Sequence, residues 1–136
     1  MQAGVTIVDP STTYIDESVR IAEDVTLEPN VILRGETVIE RDAVIRAGSQ
    51  VFDTRIGDRT VVWASVLEGS TVDADVTIGP FSHVRKGAYI GPNVELGNFA
   101  EVKNSTIGAG TKSHHFSYLG DADVGERVNI GAGSIT

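Results

Sequence analysis

The sequence predicts an all-β chain, a parallel β-helix wound from six-residue repeats, on the strength of two registers. Large aliphatic residues recur every sixth position at Ile15, Ile21, Leu27, Leu33, Ile39, Ile45 and Val51, and again at Val66, Val72, Ile78, Val84, Ile90, Leu96 and Val102. Four residues after all but the last of each run stands a small or β-branched residue: Val19, Val25, Val31, Thr37, Ala43 and Ser49, then Ser70, Val76, Ser82, Ala88, Val94 and Ala100. An amphipathic helix would repeat every 3.6 residues and a half-buried strand every two, so a strict hexad fits neither. It fits a rung made of a short strand and a corner, with the bulky residue inward and the small one packed inside the corner. Three rungs close a coil, so residues about 18 apart stack one strand spacing, roughly 4.8 Å, above one another.

Taken in order, residues 1–14 are out of phase and read as a lead-in segment. Residues 15–136 read as the repeat body, about seven coils long. The phase slips by one residue between Val51 and Ile56, Val102 and Ile107, and Leu119 and Val124, each slip shortening a rung. Gly57, Gly79, Gly91, Gly97, Gly108, Gly125 and Gly131 follow inward positions, where the chain turns. Such an array is quasi-one-dimensional, each coil touching only its neighbours.

Composition narrows the function. The 136 residues carry 11 Lys and Arg against 19 Asp and Glu, a formal charge of -8, which argues against a broad nucleic-acid surface. Cysteine is absent, which removes disulfides, thiolate zinc sites and a cysteine nucleophile. No apolar run approaches a membrane span, and no basic-then-apolar leader is visible. Any anionic ligand must therefore be held by a local cluster of base.

One such cluster is visible. Arg85 follows the inward Val84 and Lys103 follows the inward Val102, 18 residues later, so the two should stack on one edge. Like charges held one strand spacing apart repel unless an anion lies between them, which points to a phosphate or carboxylate clamp; solvated charge on a repeat edge is the alternative. Lys86 and Lys112 could add to that field. In Lys112-Ser113-His114-His115-Phe116-Ser117-Tyr118 a serine takes the place of the expected apolar residue, and a break in a consistent repeat is where function is usually found; a polar surface bend is the alternative. Histidine there is a natural general base. His83, His114 and His115 lack the spacing of a three-histidine zinc site, and adjacent side chains on a strand diverge. No metal is expected. Phe81 and Phe99, also 18 apart, should stack; with Trp63 and Phe116 they would sit outside the column and pack between subunits or at a corner.

Several runs carry a family resemblance: Gly79-Pro80-Phe81, Val84-Arg85-Lys86-Gly87-Ala88, Gly97-Asn98-Phe99-Ala100-Glu101-Val102-Lys103-Asn104, Gly120-Asp121-Ala122 and Val128-Asn129-Ile130-Gly131-Ala132-Gly133, with the opening Gly4-Val5-Thr6-Ile7-Val8-Asp9-Pro10. Over nearly its whole length the chain resembles the acetyltransferase half of the bacterial bifunctional N-acetylglucosamine-1-phosphate uridyltransferase/glucosamine-1-phosphate acetyltransferase family. The resemblance implies a left-handed β-helix, a homotrimer with sites between neighbouring subunits, and a cytoplasmic enzyme that moves acetyl from acetyl-CoA to the amine of glucosamine 1-phosphate on the way to UDP-N-acetylglucosamine. It implies His115 as the catalytic base and Glu101 as a supporting group. It places the sugar-phosphate contacts on Arg85, Lys103, Tyr118 and Asn129, and an acetyl-CoA contact on the backbone of Ala132. Acetyl-CoA would be a cosubstrate, with no bound cofactor.

Departures accompany the match. Lys86 stands where the family has Pro, His114 where it has Gly before the base, and Phe116 where Leu is common. Relative to the family, the chain is expected to lack the uridyltransferase domain ahead of Met1, and beyond Thr136 an Asn-Tyr-Asp-Gly segment and most of the coils that build the CoA site. Two other expectations stand beside acetyl transfer: a non-catalytic trimeric β-helix, and another hexapeptide-repeat sugar acyltransferase.

Overall fold

The computed structural model describes residues 4–136. Strands of two to four residues fall into three parallel sheets, which the chain visits in strict rotation. Sheet A starts at Thr6–Ile7, sheet B at Tyr14–Ile15 and sheet C at Arg20–Ile21. Sheets A and C hold seven strands each and sheet B eight, so the chain completes seven coils and enters an eighth. The coils wind as a left-handed β-helix. The first three residues of the lead-in lie outside the described residues. Of the rest, Thr6–Ile7 pairs with Thr26–Leu27 as the outermost strand of sheet A. Pro10–Thr12 forms a single 3-10 turn whose Ser11 N–H donates to the Asp9 carboxylate.

The bulky register forms the core. Sheet A turns Leu27, Ile45, Val62, Ile78 and Leu96 inward, sheet B Leu33, Val51, Leu67, Val84, Val102 and Leu119, and sheet C Ile39, Ile56, Val72, Ile90 and Ile107, all with at most 1% exposure. Parallel strands buried on their inner face need such uninterrupted aliphatic columns. One assignment differs from the sequence reading. Leu67, not Val66, faces the core; Val66 points outward between Gln50 and His83. Val51 pairs with Leu67 only 16 residues on, because the rungs ending at Ile56 and Leu67 each have five residues; the next rung, ending at Val72, is equally short.

The short rungs share one local structure. In each, the second residue after the inward one has a left-handed backbone: Asp53 at φ 49°, Ala64 at 45°, Gly69 at 51°, Asn104 at 46° and Asp121 at 50°. The next residue is small, and at Thr54, Ser65 and Ser105 its hydroxyl donates to the carbonyl two residues back, at 2.8–2.9 Å. Each of these hydroxyls also accepts an amide from the following coil, that of Ser70, Ser82 or Ala122. The corner register therefore includes Thr54, Thr60, Ser65 and Ser105, which strict six-residue counting skips.

Candidate active site at the edge between sheets A and B

Side chains alternate along a strand, so burial of Val84, Val102 and Leu119 forces their neighbours onto the outer face of sheet B. His83, Glu101 and Tyr118 stack there in one column. In the next column Lys103 pairs with Gly120, and the Arg85 amide donates to the Val102 carbonyl, so Arg85 lies one coil before Lys103 as expected. The Arg85 guanidinium donates through Nη1 to Oε2 of Glu101 at 2.7 Å, both side chains being 39% exposed. His83 pairs through Nε2 with Glu68 in the preceding coil. Lys103 makes no ion pair among the described residues.

The Tyr118 ring folds back over Gly120. A Cβ at Gly120 would lie 2.6 Å from the ring, so only glycine lets the tyrosine lie flat there. Beside it a groove of about 220 Å³ runs along the A–B edge, lined by Phe99, Glu101, Phe116, Tyr118, Ser134 and Ile135.

The two adjacent histidines sit on the corner that enters the Tyr118 strand. Ser113 occupies the inward position above Leu96 and is fully buried, its hydroxyl bonded to that of Ser117 at 2.9 Å. A polar residue is tolerated in the column because its partner lies across its own corner. His114 Nε2 bonds Oε1 of Glu95 at 2.8 Å on the outer face of sheet A. His115 is exposed on the corner itself and has no hydrogen-bond or ion-pair partner among the described residues. A bridge from Lys112 to Asn129 sets the register of the next coil, which places Ala132 at the position above His115.

The structure therefore gathers Arg85, Glu101, Lys103 and Tyr118 on sheet B, sets His115 and Ala132 on the neighbouring edge, and puts Asn129 on the outer face of sheet A beside Lys112. The Glu101 carboxylate is engaged by Arg85. Lys112 does not join the Arg85 field; it lies on sheet A, 3.9 Å from Glu95. Lys86 packs across Gly69 at the corner between sheets B and C. The sequence reading missed Glu68, Glu95 and the Ser113–Ser117 bond. Glu95 had a signal, standing in register one coil before Lys112. Among the described residues no group of three or more His, Cys, Asp or Glu could hold a metal ion. His83 lies on sheet B, whereas His114 sits on the corner that follows the sheet A strand Lys112–Ser113.

Sheet C carries a larger cleft of about 380 Å³, but its charges are already matched: Arg55 holds Glu40 and the Tyr89 hydroxyl donates to Asp73 at 2.7 Å. That bond, with some burial, raises the Tyr89 hydroxyl above its ordinary pKa. No helix among the described residues is long and apolar enough to cross a membrane.

A family model described as bacterial transferase hexapeptide (six repeats) matches residues 69–104, the stretch that holds Arg85, Glu101 and Lys103. The bifunctional protein GlmU of Streptococcus equi subsp. zooepidemicus is 50% identical over 136 residues, 100% of this chain. Residues 69–104 of the chain thus carry the hexapeptide repeat of that transferase family. GlmU of Synechococcus elongatus is likewise 50% identical over the whole chain. The chain spans about 30% of the length of these GlmU relatives. Among solved structures, the UDP-N-acetylglucosamine acyltransferase of Francisella novicida aligns with a TM-score of 0.57 at 16% identity, covering 96% of this chain and 62% of that one, and shares the fold.

Proposed function

We propose that the chain is the sugar-phosphate part of a cytoplasmic glucosamine-1-phosphate N-acetyltransferase module that assembles as a homotrimer. The observation that carries this reading is the Arg85–Lys103 stack, two cations one coil apart beside a groove edged by Tyr118. Whole-chain identity to proteins named GlmU supports the substrate class. On this reading Arg85 and Lys103 hold the phosphate, and Tyr118 and Asn129 contact the sugar. His115, whose imidazole has no partner among the described residues, takes a proton from the amine as nitrogen attacks the acetyl thioester of acetyl-CoA. The C–N bond forms, the C–S bond breaks, and CoA leaves as the thiol on receiving that proton from His115. The backbone N–H of Ala132, one coil above, donates to the oxyanion. The exposed Phe81, Phe99 and Phe116 edge supports contact between copies, which would bring a neighbour's surface to the groove.

The test measures glucosamine 1-phosphate binding and acetyl transfer with the parent chain and with His115→Ala, Arg85→Ala and Lys103→Ala. The two cation variants should weaken binding, and His115→Ala should lower transfer by about 10²–10⁴-fold. Binding without transfer would assign the chain to a non-catalytic module. The absence of both binding and transfer overturns the reading.

A further inference from the structure

We propose that Glu101 and a phosphate compete for one guanidinium, so that phosphate binding at Arg85 is an ion-pair exchange that releases the Glu101 carboxylate into the groove. This rests on Arg85 and Lys103 being a phosphate clamp.

Two carboxylates flank Arg85 on sheet B. Glu68, in the preceding coil, is engaged by His83, whereas Glu101, in the following coil, is engaged by Arg85 itself. Lys103 stands next to Arg85 in the column and holds no carboxylate among the described residues. An anion drawn to Lys103 therefore arrives about one strand spacing from a guanidinium that is already spoken for. The Arg85–Glu101 pair is half-exposed, and such pairs are weak, so a doubly charged phosphate with three acceptor oxygens displaces the carboxylate.

The carboxylate has somewhere to act once released. Glu101 also lines the groove with Phe99, Phe116 and Tyr118. There it would accept from an ammonium or hydroxyl on the same ligand. The exchange thus couples two recognition events and favours molecules that carry a phosphate and a hydrogen-bond donor together. Glu101 thus holds Arg85 in the free protein and contacts the ligand itself once released.

The experiment titrates the full chain with inorganic phosphate at low salt, by calorimetry, and thermal unfolding checks that each variant folds. Glu101→Gln should bind phosphate roughly fivefold more tightly than the parent. In an Arg85→Ala background the same substitution should change nothing, because the competition is gone. Glu101→Ala should match Glu101→Gln. Unchanged or weaker binding by Glu101→Gln, or an equal gain in the Arg85→Ala background, overturns the exchange while leaving the clamp intact. If Arg85→Ala and Lys103→Ala leave the parent affinity unaltered, or no protein binds phosphate, the clamp itself fails and the exchange with it.

Discussion

Phe81 and Phe99 stack across one coil boundary, their ring centroids 5.8 Å apart and their planes 19° from parallel. Both residues have left-handed backbones, at φ 60° and 59°, and their side chains are 59% and 62% exposed. A left-handed conformation costs a non-glycine residue about 1–2 kcal/mol, and exposure returns little of it within one chain. A Phe81→Gly, Phe99→Gly double variant should therefore unfold no earlier than the parent when monomeric. It should lose self-association in light scattering at micromolar concentration. A parent chain that is itself monomeric would remove the role in assembly.

The register of sheet B can be checked by truncation. Leu67→Ala empties a fully buried position and should cost about 2–5 kcal/mol in denaturant unfolding, whereas Val66→Ala, on the outer face, should cost about 1 kcal/mol or less. Equal losses would count against five-residue rungs on both sides of Leu67.

The corner hydroxyls should be individually costly. Ser105 donates to the Lys103 carbonyl at 2.8 Å and accepts the Ala122 amide at 3.0 Å while buried. Ser105→Ala removes few atoms but leaves the Ala122 amide without its partner, while the Lys103 carbonyl keeps the Asp121 amide, a loss of about 1–3 kcal/mol. Thr106→Ala, next to it and exposed, serves as the control and should be nearly silent.

An acid-side effect is expected at Asp75. Two hydrogen bonds from Arg59, at 2.8 and 3.0 Å, hold its carboxyl below the ordinary aspartate range. A depressed folded pKa contributes stability above the unfolded pKa, near 3.9, and that contribution is lost as pH falls through the folded value. Asp75→Asn should melt earlier than the parent at pH 7, and the gap should close as the pH falls through the lowered folded value of the carboxyl. A gap that stays constant with pH would mean that the pair does not contribute through charge.

Much of the fold was legible because the repeat writes its geometry into spacing. Ile39, Ile45, Ile78 and Ile90 lie in the core where hexad counting puts them, and Arg85 stacks under Lys103 because that coil keeps its full length. Counting failed where consecutive short rungs occur. Val66 and Leu67 are both aliphatic, so hydrophobicity alone cannot choose between them; Ala64 and Ser65, a left-handed residue followed by a corner hydroxyl, are what decide it. The site was less legible. Spacing stacks Glu101 over His83, but it cannot say that Glu101 turns to Arg85 or that His114 turns to Glu95, because those are choices among rotamers on an exposed face.

The short rungs also bear on how such a chain can change over generations. A corner that needs only a left-handed residue and a hydroxyl to lose one position absorbs a single-codon deletion on the spot. The coils on either side keep their pairing, since each hydroxyl restores the hydrogen bonds the deletion would strand. Length thus becomes a local variable, adjustable one residue at a time, while the aliphatic column stays in step.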